Sequence, residues 1–298
     1  MNSQFESMPA MIAKPMSNPR SPDAGCLYVV ATPIGHRDDF SARAVDTLRK
    51  VSVIACEDTR HSAPLLNSIG AVGKRVALHD HNEAEACAGL VAQMRLGESI
   101  ALISDAGTPL VSDPGFRLVQ AAVKAGVRVV PIPGPSALVA ALSVAGLATD
   151  RFSFEGFLPN KRAARRGVLD ALAQDPRTLV FYEARHRILE SLEDMVHVFG
   201  ADREAVVARE LTKTFETILR GALADVLQRI RDDSDQQLGE FVVIVSGAAN
   251  LDVDARRLLE GRRILDLLKD ELPPSRAVRL AAEISGAPKN ALYKLIDE

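Results

Sequence analysis

Three loops rich in glycine, proline and small hydroxyl side chains follow apolar runs in this 298-residue chain. The longest, Ser104–Gly115, comes after the apolar run Ile100–Ile103, and shorter loops cover Thr32–Gly35 and Pro133–Ala137. Such loops offer backbone N–H and C=O groups at close range, and two X-Pro steps stiffen the longest one. Because ligands collect at the carboxyl ends of strands in open α/β sheets, these loops favour an uncharged or zwitterionic small molecule. An ordinary connection between a strand and a helix is the alternative for Ser104–Gly115.

The sequence lacks several familiar phosphate-binding and catalytic patterns. Residues Gly70–Lys74 do not have P-loop spacing, and no G-x-G-x-x-G follows the first predicted strand. His79 and His81 have no third ligand at a suitable spacing, so we predict no metal site. Asp105 and Asp113 form a possible carboxylate pair, but both lie in turns that favour Asp for backbone hydrogen bonding. The pattern therefore predicts a binding wall made of loops.

A regular alternation of apolar strands and amphipathic helices positions these loops. It predicts an N-terminal α/β domain with a parallel sheet over residues 25–148. The pattern then changes, and residues 149–249 indicate a second α/β domain with a mixed sheet. Residues 250–298 form a helical C-terminal module with a helix-turn-helix outline, for which a plain helical appendage is the alternative. Residues 1–24 show no period and indicate a disordered tail or an over-long start.

Composition narrows the class of protein. The 4% aromatic content and the absence of Trp argue against an aromatic nucleic-acid platform. The net charge of −3 gives no overall basic signal, so any nucleic-acid contact must use local basic patches. The three cysteines are widely spaced, which favours reduced thiols. No apolar run approaches the ~20 residues that a membrane span requires. We therefore expect a cytoplasmic protein with no membrane partner.

Seven segments, in order along residues 26–247, carry a resemblance to a known family. They are Thr32–Gly35, Glu57–Arg60, His79–Glu83, Ser104–Gly115, Pro133–Ala137, Glu155–Pro159 and Ala208–Lys213. Together they resemble the ribosomal RNA small-subunit methyltransferase I family, a branch of the tetrapyrrole methylase-like superfamily. Two positions depart from the family pattern: His36 stands where Asn is usual, and Ala184–Arg187 lacks the usual Pro before His. The first alters a loop expected to face ligand, and the second alters only a helix start.

The resemblance implies S-adenosylmethionine in a cleft between the two α/β domains, within a homodimer. It also implies methyl transfer to the 2′-hydroxyl of a cytidine, position 1402 in the usual numbering, in the decoding region of 16S ribosomal RNA in the 30S subunit. By position, the implied cofactor-binding residues are Pro33, Ile34, Asp105, Ala106, Gly107, Thr108, Pro109, Val111, Ser136, Ala137, Tyr182, Ala208, Glu240 and Phe241. For Tyr182 the alternative is a half-buried strand aromatic, and for Ala208 it is a core residue.

The sequence gives fewer signals for the residues that act on the RNA than for those that bind the cofactor. A ribose hydroxyl is a weak acid, so a general base or a nearby cation should help the transfer. Candidates at predicted strand ends are Glu57, Asp58, Glu155, Glu183, Glu210 and Lys213, each of which also fits a salt bridge or a solvated loop, and no catalytic residue is assigned. For RNA phosphate the candidates are Arg60 and the basic helix residues Lys161, Arg162, Arg165 and Arg166, with a solvated helix face as the alternative.

Three functions compete on this evidence. The first is an S-adenosylmethionine-dependent ribosomal RNA 2′-O-methyltransferase. The second is a methyltransferase of a precorrin-type tetrapyrrole on the same scaffold, and the third is a non-catalytic RNA-binding protein of ribosome assembly. The loop Ser104–Gly115, the basic helix and the helical tail favour the first.

Overall fold

The computed structural model describes residues 25–78, 83–248 and 253–295. The N-terminal residues 1–24 and the loop with His79 and His81 therefore lie outside the described residues. The chain divides into two compact units between Ala137 and Leu138. The domain boundaries set from the sequence at 148/149 and 249/250 stay predictions.

The first unit is built on a five-stranded parallel sheet in the order β3-β2-β4-β1-β5. Its strands are β1 (Cys26–Val30), β2 (Val53–Cys56), β3 (Lys74–Ala77), β4 (Ile100–Leu102) and β5 (Arg128–Ile132). Its helices are α1 (Ala42–Lys50), α2 (Thr59–Ser68), α3 (Glu83–Arg95) and α4 (Phe116–Lys124). The predicted parallel α/β architecture is confirmed.

Side-chain alternation along each strand buries both faces of this sheet. On one face Leu27 and Val53 pack with α3 and α4, and on the other Val30 and Ile54 pack with α1 and α2. Local chemistry sets where the helices begin. Ser41 caps α1 by accepting a hydrogen bond from the Ala44 amide at 3.1 Å. Consequently, every strand that leads into a candidate loop is fixed from both faces.

The second unit contains a mixed sheet in the order β6-β7-β10-β8-β9, in which β6 and β7 are parallel and the other pairs antiparallel. Its strands are β6 (Phe152–Phe157), β7 (Thr178–Ala184), β8 (Glu204–Arg209), β9 (Thr217–Ala222) and β10 (Glu240–Val245). Its helices are α5 (Ala137–Ala145), whose first residue belongs to the first unit, α6 (Arg162–Leu172), α7 (Ile188–Phe199) and α8 (Leu223–Asp232). The predicted mixed sheet is confirmed.

Helices also cover both faces of this second sheet. Phe181 and Val243 lie in a core with residues of α6, α7 and α8. Helix α5 contacts the opposite face, because the Leu138 amide donates a hydrogen bond to the Tyr182 hydroxyl at 3.1 Å and the Arg220 Nε donates one to the Ala145 carbonyl at 3.3 Å.

Three helices, α9 (Val253–Leu268), α10 (Pro274–Ser285) and α11 (Lys289–Lys294), form the C-terminal part of this unit. They share a core that includes Ile264, Ala281 and Leu292. A Cβ on Gly261 would lie 2.8 Å from Leu292 and 2.9 Å from Ser285, so α9 packs directly against the turn between α10 and α11. Gly286 makes that turn in the left-handed region at a φ of 72°. Among the described helices, none is long and apolar enough for a membrane crossing.

Candidate functional site

The three candidate loops of the first unit are joined by hydrogen bonds. An isolated antiparallel bridge links Thr32 and Gly107, with N–H···O distances of 2.8 and 3.1 Å. The Thr108 hydroxyl donates to the Pro135 carbonyl at 2.9 Å, which ties the second loop to the third. The structure therefore brings together the segments that contain the predicted first-unit contacts, namely Pro33, Ile34, Asp105, Ala106, Gly107, Thr108, Pro109, Val111, Ser136 and Ala137.

Backbone geometry makes the loop Ser104–Gly115 a specialised structure. Gly107 has a φ of 83°, and a Cβ placed on it would lie 3.2 Å from the Ile34 Cγ2 and 3.8 Å from the Pro135 carbonyl oxygen. Leu110 and Ser112 also adopt positive φ values, of 73° and 64°, without being glycine. Such conformations persist only where the surroundings impose them, and they cluster at binding and catalytic sites. This loop geometry supports the binding-wall interpretation over that of an ordinary connection.

The two aspartates of this loop differ in environment. Asp105 accepts a hydrogen bond from the Asp58 amide at 3.4 Å, in keeping with a backbone-bonding role. Burial raises the pKa of Asp113 to about 6, and the charges of Glu57 and Asp105 act in the same direction, while a hydrogen bond from Ser104 opposes them. Asp113 therefore changes charge near neutral pH, a property that its place in a turn did not reveal.

The candidate residues of the second unit lie on the strands β7, β8 and β10. The Tyr182 ring makes edge contacts with Phe154 and Phe157 at centroid distances of 4.8 and 5.6 Å, and its hydroxyl accepts from the first turn of α5. The side chains of Ala208 and Phe241 are buried. The cofactor roles of these residues and of Glu240 stay predictions.

Several of the candidate general bases are already engaged. Glu183 is buried, and its carboxylate accepts hydrogen bonds from the Arg187 Nε at 2.7 Å and the Ser191 hydroxyl at 2.5 Å. Asp58 caps α2, and hydrogen bonds from the Arg60 and His61 amides lower its pKa. Ser153 donates a hydrogen bond to the Glu155 carboxylate. Glu183 therefore matches the salt-bridge alternative, and Asp58 has a capping role that the sequence alone did not show.

Much of the positive charge of the basic helix α6 is paired with one carboxylate of α7. Asp194 of α7 is fully buried and forms ion pairs with Arg162, Arg165 and Arg166 at 2.9, 2.7 and 2.7 Å. Burial alone would raise the pKa of Asp194, but the hydrogen bonds from the three arginines hold it below the usual value. Arg165 is itself only 1% exposed. No local pattern in the sequence pointed to Asp194 as the shared partner.

The residues predicted to contact RNA therefore differ in their exposure to solvent. Arg165 lies in the interior of the second unit, whereas the side chain of Arg162 is 60% exposed and Lys161 is also exposed. Arg60 is exposed near the start of α2. RNA contact by these residues and by Arg166 stays a prediction.

Within residues 25–78, 83–248 and 253–295, no three or more His, Cys, Asp or Glu side chains are grouped closely enough to hold a metal ion. Cys26, Cys56 and Cys87 are buried, and none of the three is in a disulfide. Burial is the main cause of the raised pKa of the Cys56 thiol.

His36, which departs from the family pattern, lies at the start of a short 3₁₀ turn. Its Nδ1 accepts a hydrogen bond from the Asp38 amide at 3.2 Å.

Comparison with family descriptions gives two matches. The description "Tetrapyrrole (Corrin/Porphyrin) Methylases" matches residues 26–227, and "RsmI C-terminal HTH domain" matches residues 252–296. The second match coincides with the packed helices α9, α10 and α11.

Curated relatives are similar over nearly the whole chain. A "Ribosomal RNA small subunit methyltransferase I" of Xylella fastidiosa strain Temecula1 is 58% identical over 90% of this chain and 98% of its own length. Proteins of the same description from Pseudomonas aeruginosa and Escherichia coli O157:H7 are 55% and 51% identical, each over 91% of this chain and 96% and 94% of their own lengths.

Solved structures share the fold at lower identity. A uroporphyrin-III C-methyltransferase from Thermus thermophilus is 21% identical with a TM-score of 0.54, over 74% of this chain and 94% of that chain. The methyltransferase CobJ is 21% identical with a TM-score of 0.55, over 78% of this chain and 98% of that chain. A Thermus thermophilus enzyme of the first kind, in complex with S-adenosylhomocysteine, is 18% identical with a TM-score of 0.51, over 74% of this chain and 97% of that chain. At these identities the likeness shows the architecture.

Proposed function

We propose that this chain, which belongs to the ribosomal RNA small subunit methyltransferase I family, transfers a methyl group from S-adenosylmethionine to 16S ribosomal RNA. The observation that carries the proposal is identity of 51–58% over at least 90% of the chain to curated relatives of that description. In finer detail, we propose the 2′-hydroxyl of cytidine 1402 as the acceptor, the 30S subunit as the substrate, a homodimer as the active form and the cytoplasm as the location.

The loops of the first unit have the chemistry that this cofactor needs. S-adenosylmethionine combines a zwitterionic amino acid, a sulfonium and a nucleoside, and it offers several hydrogen-bonding groups without phosphate. The Thr108 and Ser136 hydroxyls and the backbone groups of residues 32–35 and 104–111 are suited to such a ligand. The absence of a Cβ at Gly107, where one would crowd Ile34, lets two of the loops approach each other closely. The residues present therefore fit the cofactor.

The chain's contribution to the transfer is mainly alignment. When bound, S-adenosylmethionine supplies an electrophilic methyl group on a positively charged sulfur. An in-line displacement then depends on holding the acceptor oxygen, the methyl carbon and the sulfur in one line. The loops held by the Thr32–Gly107 bridge and the Thr108–Pro135 hydrogen bond are suited to fixing the cofactor side of that line.

The tetrapyrrole alternative rests on the family description that matches residues 26–227 and on likeness of fold at 17–21% identity, and folds of this kind host many substrates. The non-catalytic alternative does not explain the strained loop Ser104–Gly115. The identity of 51–58% to ribosomal RNA methyltransferases and the match of residues 252–296 to "RsmI C-terminal HTH domain" favour the RNA methyltransferase over both alternatives.

Labelling of isolated subunits tests the proposal. Purified protein is incubated with methyl-tritiated S-adenosylmethionine and 30S subunits from a strain that lacks the enzyme. We expect label in 16S ribosomal RNA, and after alkaline hydrolysis we expect it in a dinucleotide, because a 2′-O-methyl group blocks cleavage at that ribose. Label in a mononucleotide would refute the 2′-hydroxyl as the acceptor. Label in an added corrinoid precursor with none in RNA would refute RNA methylation itself, and mass determination in solution tests the homodimer.

A further inference from the structure

The segment after β8 has an unusually constrained backbone. Glu210 and Thr212 adopt positive φ values of 50° and 65°, and the buried Leu211 lies between them. Each such conformation costs on the order of 1 kcal/mol or more for a residue other than glycine. The surrounding contacts must therefore hold this segment in place.

An ion cluster provides those contacts. The Lys213 ammonium donates to the Glu210 carboxylate at 2.9 Å and to the Glu240 carboxylate at 2.8 Å. The backbone joins the same residues, because the Glu210 amide donates to the Glu240 carbonyl at 3.0 Å and the Glu240 amide donates to the Glu210 carboxylate at 2.9 Å. Gly239 completes the arrangement, since a Cβ there would overlap the Glu210 carboxylate. We call Lys213, Glu210 and Glu240 the lysine clamp.

Two members of the lysine clamp, Lys213 and Glu210, have pKa values shifted in the direction that favours their charged forms. Burial alone would lower the pKa of Lys213, but hydrogen bonds from its ammonium to Glu210 and Glu240 raise that pKa above its usual value. Burial would likewise raise the pKa of Glu210, and the hydrogen bond from Lys213 lowers it below the usual value. The side chain at position 213 is therefore a fixed cation.

One N–H of the Lys213 ammonium has no acceptor among the described residues. An ammonium has three N–H groups, and among the described residues two of them have carboxylate acceptors. The Lys213 side chain is 31% exposed. Paired lysines elsewhere differ in setting: Lys50 bonds to Asp46 one turn away on the surface of α1, and its side chain is 72% exposed. A lysine held between two strand ends, with one N–H open, is suited to bind an oxygen of a ligand.

We propose that Lys213 is a catalytic residue, whose remaining N–H donates a hydrogen bond to the ribose oxygen that receives the methyl group. This inference rests on the proposed function. In the step, the oxygen–methyl bond forms as the sulfur–methyl bond breaks, and the sulfur keeps the electron pair in S-adenosylhomocysteine. The hydroxyl proton passes to water, and Lys213 keeps its own protons throughout. A fixed ammonium at this position stabilises the negative charge that grows on the oxygen as its proton leaves.

Steady-state kinetics of Lys213→Met test the role. We expect kcat to fall about 100-fold, the usual scale for loss of one preorganised donor. The KM for 30S subunits and the calorimetric affinity for S-adenosylmethionine should change less than about threefold, because uniform binding is retained. Lys50→Met removes an exposed, paired ammonium from α1 and serves as the matched control, with kcat unchanged.

Lys213→Arg keeps a cation between the two carboxylates but moves its donors, and it guards against misfolding of the Met variant. We expect an unchanged melting temperature with kcat lowered at least tenfold. An unchanged kcat in this variant overturns the proposal, and so does a rise in KM with kcat unchanged, which would indicate an RNA phosphate contact. Loss of cofactor binding in both variants assigns Lys213 a structural role and also overturns it. Failure of the wild type to label RNA is a separate result and refutes the proposed function instead.

Discussion

The two units fix their candidate residues by different means. In the first unit, the loops after β1, β4 and β5 are joined by backbone and hydroxyl hydrogen bonds, and the contacts closest to Gly107 are uncharged. In the second unit, several charged candidate residues are held by ion pairs, as in the lysine clamp and around Asp194. Both units contain residues other than glycine at positive φ, but neutral hydrogen bonds join the loops of the first unit, whereas ion pairs hold the segment after β8 in the second.

Basic residues in the sequence of the second unit are not all free charges at its surface. The run Lys161–Arg166 at the start of α6 contains four basic residues, yet three of them share one buried carboxylate. A basic run is therefore weak evidence for nucleic-acid contact until its partners are known. Three variants test how each unit is held together, and the expected effect decreases from Asp194→Ala through Gly107→Ala to Asp113→Asn.

Asp194→Ala tests the ion-paired unit and should have the largest effect. It leaves the buried Arg165 without its main partner, and breaking a buried ion pair on one side costs about 3–5 kcal/mol. Urea unfolding followed by circular dichroism measures the loss. Asp170→Ala removes an exposed carboxylate of α6 and should change stability by less than about 0.5 kcal/mol. A loss below about 1 kcal/mol for Asp194→Ala would show that the arginines find other partners.

Gly107→Ala tests the backbone-held unit. Both Gly107 and Gly126 have positive φ values, of 83° and 72°, but a Cβ meets Ile34 at Gly107 and open space at Gly126. We expect each Ala variant to lose about 1 kcal/mol of stability through backbone strain. Only Gly107→Ala should weaken S-adenosylmethionine binding, by about tenfold or 1.4 kcal/mol, as measured by calorimetry. Equal affinity in the two variants would remove this loop from the cofactor site.

Asp113→Asn should have a smaller effect that depends on pH. The pKa of Asp113 is raised to about 6 in the folded chain, so its ionised form opposes folding. That cost is small near pH 4, grows between about pH 4 and 6, and is constant at higher pH. The Asn variant should therefore melt at a higher temperature than wild type at pH 7.5, by an amount on the order of 1 kcal/mol after solvent screening, and the difference should vanish near pH 4.

Asp58→Asn provides a control of opposite sign in the same unit. Hydrogen bonds from the Arg60 and His61 amides lower the pKa of Asp58, so its ionised form favours folding at neutral pH. The Asn variant should melt lower than wild type at pH 7.5 and approach it in acid. A pH-independent difference for both variants would contradict the assigned environments.

Local sequence signals predicted most of the fold. Alternating apolar strands and amphipathic helices identified the parallel sheet of the first unit, and the change in that pattern identified the mixed sheet of the second. These features depend on residues close in the chain, where periodicity operates. Glycine and proline placement likewise pointed to the loop Ser104–Gly115, because both residue types restrict or extend the backbone locally.

The family assignment also came from the sequence, since ordered motifs along residues 26–247 identify relatives without any knowledge of contacts. The individual cofactor and RNA contacts remain predictions, because spacing in a sequence gives the place of a residue and not its exposure or its partner.

Only the tertiary structure decided which charged residues are engaged. Asp194 lies about thirty residues from the arginines that share it, and Glu240 lies 27 residues from Lys213. Ion pairs of this kind depend on how strands and helices pack, and burial alters the cost of each charge. The sequence by itself determined the fold class, the family and the loops of the first unit that are rich in glycine, proline and hydroxyl residues. Packing between distant segments decided that Arg165 and Glu183 are interior and that Lys213 is held by two carboxylates, with one N–H that has no acceptor in the part of the chain that the structure describes.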